Sequence, residues 1–174
     1  IPHVRMMKTC KENTSLANLF GLPYVVLRTP TAMDQSTLNF NWQVGGTAAF
    51  SVYTNATESI DEASAELGVS AVLRFLSRMG IIKYKCHGGY MGTIIDEDDM
   101  MNVTCGAAGI YRSLHKSGDE VEKGDILAQI IHPYEGNVIS EVKAPADGIL
   151  FFAHESPLVM ENTIVFKMIK RLHK

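Results

Sequence analysis

Cysteine is scarce: Cys10, Cys86 and Cys105 are the three thiols in 174 residues, odd in number and far apart. They exclude a disulfide framework and point to a reducing compartment, so a cytoplasmic location is expected. An excess of one charge is missing as well. Sixteen Lys and Arg face nineteen Asp and Glu, a net charge of −3, which leaves no electrostatic footprint for nucleic acid. No apolar run approaches the ~20 residues of a transmembrane helix, so no membrane association is expected. Aromatic residues make up 8% of the chain, and tryptophan occurs once, at Trp42. What is present, 46% hydrophobic against 20% charged residues, describes a globular chain. Its length suits one large domain or two small ones. The first residue is Ile rather than Met, and the expectation is an N-terminus trimmed or incomplete.

The chain is organised around Thr47–Ile82. Ala48–Tyr53 is apolar, β-prone and too brief for a helix, so it reads as a buried strand. A polar elbow follows, Thr54 to Glu58. Ser59, with Glu62 three residues on, fits a capping box. The helix expected over 60–79 places Ala65, Val69, Val72, Leu73, Leu76 and Met79 on one face, and Gly80 is its stop. In open α/β sheets ligands bind beyond the carboxyl ends of strands, which makes the elbow the first place to look for chemistry.

Before this stretch, Ile1–Met7 is extended. Thr14 or Ser15 caps a short helix over Leu16–Phe20, which Gly21 ends. Pro23–Arg28 is a second apolar strand. Such strands alternating with helices suggest a mainly parallel sheet with helices. Thr29–Gly46 reads as a long connection, polar and aromatic. With Asn39, Asn41, Trp42 and Gln43 it either lines a pocket for a polar ligand or packs on its own hydrophobic anchor.

After Ile82 no amphipathic helix is found. Short β-like runs (Val103–Cys105, Gly109–Leu114, Ile126–Ile131, Val138–Val142, Gly148–Ala153, Thr163–Ile169) alternate with turn signals such as Ser117-Gly118-Asp119, Lys123-Gly124-Asp125 and Pro145–Gly148. A separate all-β domain is expected over 85–174, following an α/β part over 1–84. The pattern Gly118-Asp119 … Lys123-Gly124-Asp125-Ile126-Leu127 … Ala144-Pro145-Ala146-Asp147-Gly148-Ile149-Leu150 resembles the barrel-sandwich hybrid of biotinyl and lipoyl domains. Those domains carry a lysine on the hairpin that would here be His132–Asn137. That hairpin holds none, which argues against a carrier role.

Taken in order, the strand–elbow–helix unit, Phe75–Ile82 (FLSRMGII), Lys123–Ile130 (KGDILAQI) and Lys143–Leu150 (KAPADGIL) resemble the succinylglutamate desuccinylase/aspartoacylase family of the zinc carboxypeptidase superfamily. The resemblance covers essentially the whole chain, but only the C-terminal half to two-thirds of a family member. It implies a zinc-dependent amidohydrolase that releases an acyl group from an N-acylated amino acid or a similar small amide. It implies zinc as cofactor, with the ligands upstream of this chain: a His-x-x-Glu pair and a later His that IPHVRM would follow. It also implies a homo-oligomer, or association with the missing N-terminal segment. A catalytically degenerate relative that binds a small ligand, and an assembly module whose barrel mediates subunit contact, are the competing readings.

The same resemblance puts a catalytic glutamate at the end of the strand before the helix. Counting back from Ile60-Asp61 without gaps, Tyr53 stands there, and Glu58 is the elbow's only carboxylate. Either Glu58 serves as general base or the base is missing. Tyr53 could hydrogen-bond an oxyanion or simply pack. Arg5 could grip a substrate carboxylate bidentately or form a surface ion pair. His3 is a substrate contact or a solvated histidine, and Asn39 belongs to the candidate pocket loop. His132 and Glu135 have metal-ligand spacing but no third ligand. Asp96–Asp99 reads as a solvated linker.

Overall fold

The computed structural model describes residues 1–55 and 60–171, without the side chains of Cys10 and Lys11. The chain divides into an α/β unit, Pro2–Asp99, and a β-unit, Met100–Lys174 joined by Ile1.

Four strands form the sheet of the α/β unit: β1 (His3–Met7), β2 (Tyr24–Arg28), β3 (Ser51–Tyr53) and β4 (Thr93–Asp96), in the order β3-β1-β2-β4. β1, β2 and β4 run parallel, while β3 runs against β1. The sheet is therefore mixed, with its parallel part as expected and its edge reversed. β4 lies beyond residue 84, yet it pairs with β2 through Tyr24–Leu27. The α/β unit thus extends past the expected boundary, because Thr93–Asp96 finds its ladder in this sheet.

Helix α1 (Thr14–Ala17) continues as a 3₁₀ turn, Asn18–Phe20, and Gly21 ends it in the left-handed region at φ 66°. The stretch Thr29–Gly46 is not an irregular loop. It holds a 3₁₀ turn over Ala32–Ser36 and helix α2 (Leu38–Val44). Thr31 and Asp34 cap the first reciprocally, and the Thr37 side chain accepts from Phe40 N at the start of the second. These two caps supply the start signals that a reading from length and polarity alone passes over. Trp42 is more than half exposed.

Helix α3 (Glu62–Arg78) has the expected extent. Its cap is Asp61 rather than Ser59: the Asp61 carboxylate accepts from Ala63 N and from Ser64 Oγ. Ser59 itself lies outside the described residues. The buried face also differs from the expected one. Ser64, Ala71 and Arg74 are buried, with Leu67 and Phe75 packed on the core, whereas Val69, Val72 and Met79 are largely exposed. The helix is turned by about one residue, roughly 100°, because Arg74 occupies a core-facing position that a polar/apolar reading assigns to solvent. Its Nε donates to His87 O at 2.8 Å and its Nη1 to Phe20 O at 2.7 Å. A Cβ on Gly21 or Gly89 would meet the Arg74 side chain at 2.6 or 2.8 Å, so both positions need glycine for close approach as well as for positive φ.

Polar links close the other end of the sheet. Arg28 Nε pairs with Asp34 at 3.0 Å and its Nη1 with Glu97 at 3.2 Å, while Lys8 pairs with Asp96. The acidic run is therefore not a solvated linker throughout. Asp96 and Glu97 neutralise cations at the carboxyl ends of β1 and β2.

The β-unit consists of two four-stranded antiparallel sheets. One has the order β5 (Met101–Thr104), β12 (Ile164–Lys170), β10 (Gly148–Ala153), β7 (Glu120–Val121). The other has the order β11 (Leu158–Val159), β6 (Gly109–Ser113), β8 (Ile126–Ile131), β9 (Val138–Lys143). Their inner faces share one apolar core that includes Tyr111, Leu127, Ile130, Leu150, Phe166 and Met168. Turns fall where glycine and aspartate signal them. Asp119 Oδ2 accepts from Lys116 N, and Asp125 Oδ2 accepts from Glu122 N at 2.8 Å, the local carboxylate–backbone bonds that favour aspartate in turns. Gly124 adopts φ 98°, which a side chain would resist.

Candidate functional site

Because β3 runs against β1, its end lies beside the start of β1, with His3 opposite Tyr53 and Arg5 opposite Ser51. Tyr53 thus sits at the amino end of β1, on the reverse side from the carboxyl ends of β1, β2 and β4. Strand alternation sorts the side chains. Val4 and Val52 face the apolar core that α3 covers, which leaves His3, Arg5, Ser51 and Tyr53 on the opposite face.

On that face the rings of His3 and Tyr53 stack at 4.9 Å with 3° between their planes. The Arg5 guanidinium carbon lies 4.2 Å from the centre of the Tyr53 ring, within the range of a cation–π contact. His3 is buried, 8% exposed. Arg5 Nε is buried without a hydrogen-bond partner among the described residues, a donor on a permanently charged group.

Helix α2 supplies the neighbouring wall. Asn39 Nδ2 donates to Ser51 Oγ at 2.8 Å, and Asn39 Oδ1 accepts from Gln43 Nε2. Gln43, buried, also donates to Ala49 O at 2.9 Å and accepts from Met7 N at 3.0 Å. One amide side chain thus ties β1, α2 and the approach to β3 together. Four of the sequence candidates, His3, Arg5, Asn39 and Tyr53, are therefore brought to one place. Asn39 is engaged with Ser51 and Gln43, so it fixes the wall. Glu58 lies outside the described residues. Ser51 and the bridging of Gln43 are additions from the structure. The signal available in sequence was the Asn39–Gln43 spacing of one helical turn, which a loop reading hides.

The chain matches no family model and no curated protein, but its fold recurs among solved structures. A succinylglutamate desuccinylase/aspartoacylase from Rhodobacter sphaeroides superposes with TM-score 0.77 at 19% identity, over 99% of this chain and 54% of that one. The chain has the fold of the succinylglutamate desuccinylase/aspartoacylase structures. A product-bound ectoine utilization protein EutE (DoeB) from Ruegeria pomeroyi matches with TM-score 0.78 at 18% identity, over 97% of this chain and 53% of that one. An aspartoacylase family protein from Mesorhizobium loti matches with TM-score 0.71 at 17% identity, over 99% and 53%. The chain spans about half the length of these structures.

The desuccinylase/aspartoacylase likeness raises the question of zinc. Among the described residues no three His, Cys, Asp or Glu side chains group so as to hold a metal ion. These residues do not fit a zinc site by themselves, and no chemical step is derived through one. No described helix is long and apolar enough to cross a membrane. A concavity of about 360 Å³ lies wholly in the β-unit between Tyr111–Ser117 and Ala153–Pro157; it contains none of the sequence candidates.

Proposed function

We propose that the face formed by His3, Arg5, Ser51 and Tyr53 grips the carboxylate of an N-acylated amino acid or similar small amide, as part of a deacylase. The observation that carries this reading is Arg5, a guanidinium seated on the Tyr53 ring with its buried Nε unpartnered among the described residues. A carboxylate would take Nε and a neighbouring N–H together, the bidentate geometry that suits arginine. The fold shared with desuccinylase and aspartoacylase structures supports the reaction class.

In this reading Arg5 orients the substrate by its carboxylate. Tyr53 turns its phenol toward the amide, where the O–H would donate to the oxyanion formed when water adds to the carbonyl. Glu58 takes the proton from that water. Zinc, with ligands from outside the described residues, would supply Lewis-acid polarisation. Gln43 and Asn39 act as positioning residues that hold Ser51 and β3 against Arg5.

A second reading is favoured by one observation: the strand before α3 ends in Tyr53, a phenol, where the resemblance puts a carboxylate. On that reading the site binds the same ligand without cleaving it.

Calorimetric titration tests the shared part. N-acetyl and N-succinyl amino acids should bind, and their carboxamide analogues should bind at least about tenfold more weakly, the loss expected for one charged hydrogen-bond pair. Arg5→Gln should remove that preference. Equal binding of acid and carboxamide would overturn the assignment. Hydrolysis by zinc-loaded protein, falling about 10²-fold in Glu58→Gln, separates deacylase from binder.

A further inference from the structure

The concavity of the β-unit, about 360 Å³ between Tyr111–Ser117 and Ala153–Pro157, has walls fixed by the fold. Tyr111 N donates to Pro157 O at 2.8 Å, and His154 N donates to Val165 O at 2.8 Å, so backbone bonds hold the second wall to β6 and β12. The turn after β6 is held by its own side chains. Ser113 Oγ donates to His115 O at 2.6 Å. Asp119 Oδ2 accepts from Lys116 N at 3.1 Å and lies 3.3 Å from His115 Nδ1. Tyr111 is buried, and the His154 ring packs against it in a T-shaped pair at 5.5 Å. A ligand entering here meets walls already formed, which lowers the ordering cost of binding.

Polar groups of these walls are left without partners. His154 Nε2 is buried with no hydrogen-bond partner among the described residues, a cost that a ligand atom or a bridging water removes. Lys116 and Glu155 line the same concavity, and neither enters an ion pair among the described residues. His115 is already engaged with Asp119. One ammonium group and one carboxylate therefore remain, and Ser117 adds a hydroxyl. Walls of a single sign would select a simple anion or cation, whereas opposite charges select a ligand that carries both. The volume stands near the lower end of the ~300–1,000 Å³ of small-molecule sites, which suits a small metabolite.

We propose that this concavity binds a free α-amino acid as its zwitterion. Lys116 Nζ and the Ser117 hydroxyl take the carboxylate, Glu155 takes the ammonium group, and the ligand side chain lies toward Tyr111 and Pro157. A ligand oxygen, directly or through a water, supplies the partner that His154 Nε2 lacks. Charge pairs at exposed side chains are individually weak, so the affinity is modest. Selectivity comes from requiring both charges on one small molecule. The site lies wholly within the β-unit and does not rest on the deacylase reading.

Amide NMR of the whole chain is the test, with the standard free L-amino acids as probes. At least one should bind saturably and move the amide signals of 111–117 and 153–157. Its N-acetyl derivative lacks the ammonium group and its carboxamide lacks the carboxylate. Each should bind at this concavity about tenfold or more weakly, the loss expected for one charged pair. Glu155→Gln should erase the advantage over the N-acetyl form, and Lys116→Met the advantage over the carboxamide. Arg5→Gln should leave this binding unchanged, so failure here and failure of the Arg5 face are read separately. The proposal is overturned if no amino acid moves these signals, if either derivative binds there as tightly as the free amino acid, or if both variants bind like the wild type. The derivatives alter the ligand and leave the protein intact, so the outcome stands even where a variant fails to fold.

Discussion

The two units solve the same problem with different means. The β-unit encloses one apolar core of fourteen buried residues between its sheets, from Val103 to Met168. Among the described residues the α/β unit has a smaller main apolar cluster, from Val4 to Ala71, and supplements it with buried polar side chains: Arg74 and Gln43 join segments distant in sequence, and Asp34 holds the nearby Arg28. A core made of apolar strands can be read from alternation. Polar side chains that bridge segments cannot, because their type gives no hint of where the partner lies.

The contrast predicts where each unit fails. Phe166→Ala removes a fully buried ring from the β-unit and should cost about 3–5 kcal/mol. Amide exchange followed in urea should show the loss in β5, β10 and β12, with the α/β unit opening at its wild-type denaturant concentration. Arg74→Met keeps most of the volume but strands the carbonyls of Phe20 and His87, and should cost about 2–3 kcal/mol, read as early exchange in the α/β unit alone. Loss of the β-unit in the second variant, or of the α/β unit in the first, would break the comparison.

Acid provides a milder probe. Burial pushes the Asp34 carboxyl up, but the hydrogen bonds from Thr31 and the Arg28 guanidinium outweigh it and bring the pKa down from 3.8 to about 2. A carboxyl depressed on folding stabilises the protein above its unfolded pKa, and that contribution fades as pH falls from about 4 through about 2. Asp34→Asn should flatten the pH dependence of α/β-unit stability in that window; an unchanged profile would remove Asp34 from the account. Smallest is the helix cap: Asp61→Ala should lower the stability of the α/β unit slightly, read as a small fall in its melting temperature.

How much of this was legible follows the same division. The runs Gly109–Leu114, Ile126–Ile131, Val138–Val142 and Gly148–Ala153 were legible as short β-like segments between turn signals, and strands stand there within a residue at each end. β4 was not, because Thr93–Asp96 pairs with a strand some seventy residues earlier and only tertiary contact marks it. The face of α3 was misjudged because Arg74 points inward. His3, Arg5, Asn39 and Tyr53 were named from sequence, two of them strand residues and one a strand end. That they meet depends on β3 running antiparallel to β1, which no local pattern encodes. The resemblance to desuccinylases and aspartoacylases was readable in the order of motifs, and the solved structures share the fold.

Arg74 and the Arg28 cluster also set an order of events. The Arg28 guanidinium is held by carboxylates that acid can neutralise. Arg74 is held by the carbonyls of Phe20 and His87, which have no protons to gain in the accessible range. As pH drops, the turn around Asp34 and the strand end at Glu97 are released first. The joint of α3 with the Phe20 and His87 loops stays closed, so the unit opens from one end of its sheet, with Arg74 as the last clasp.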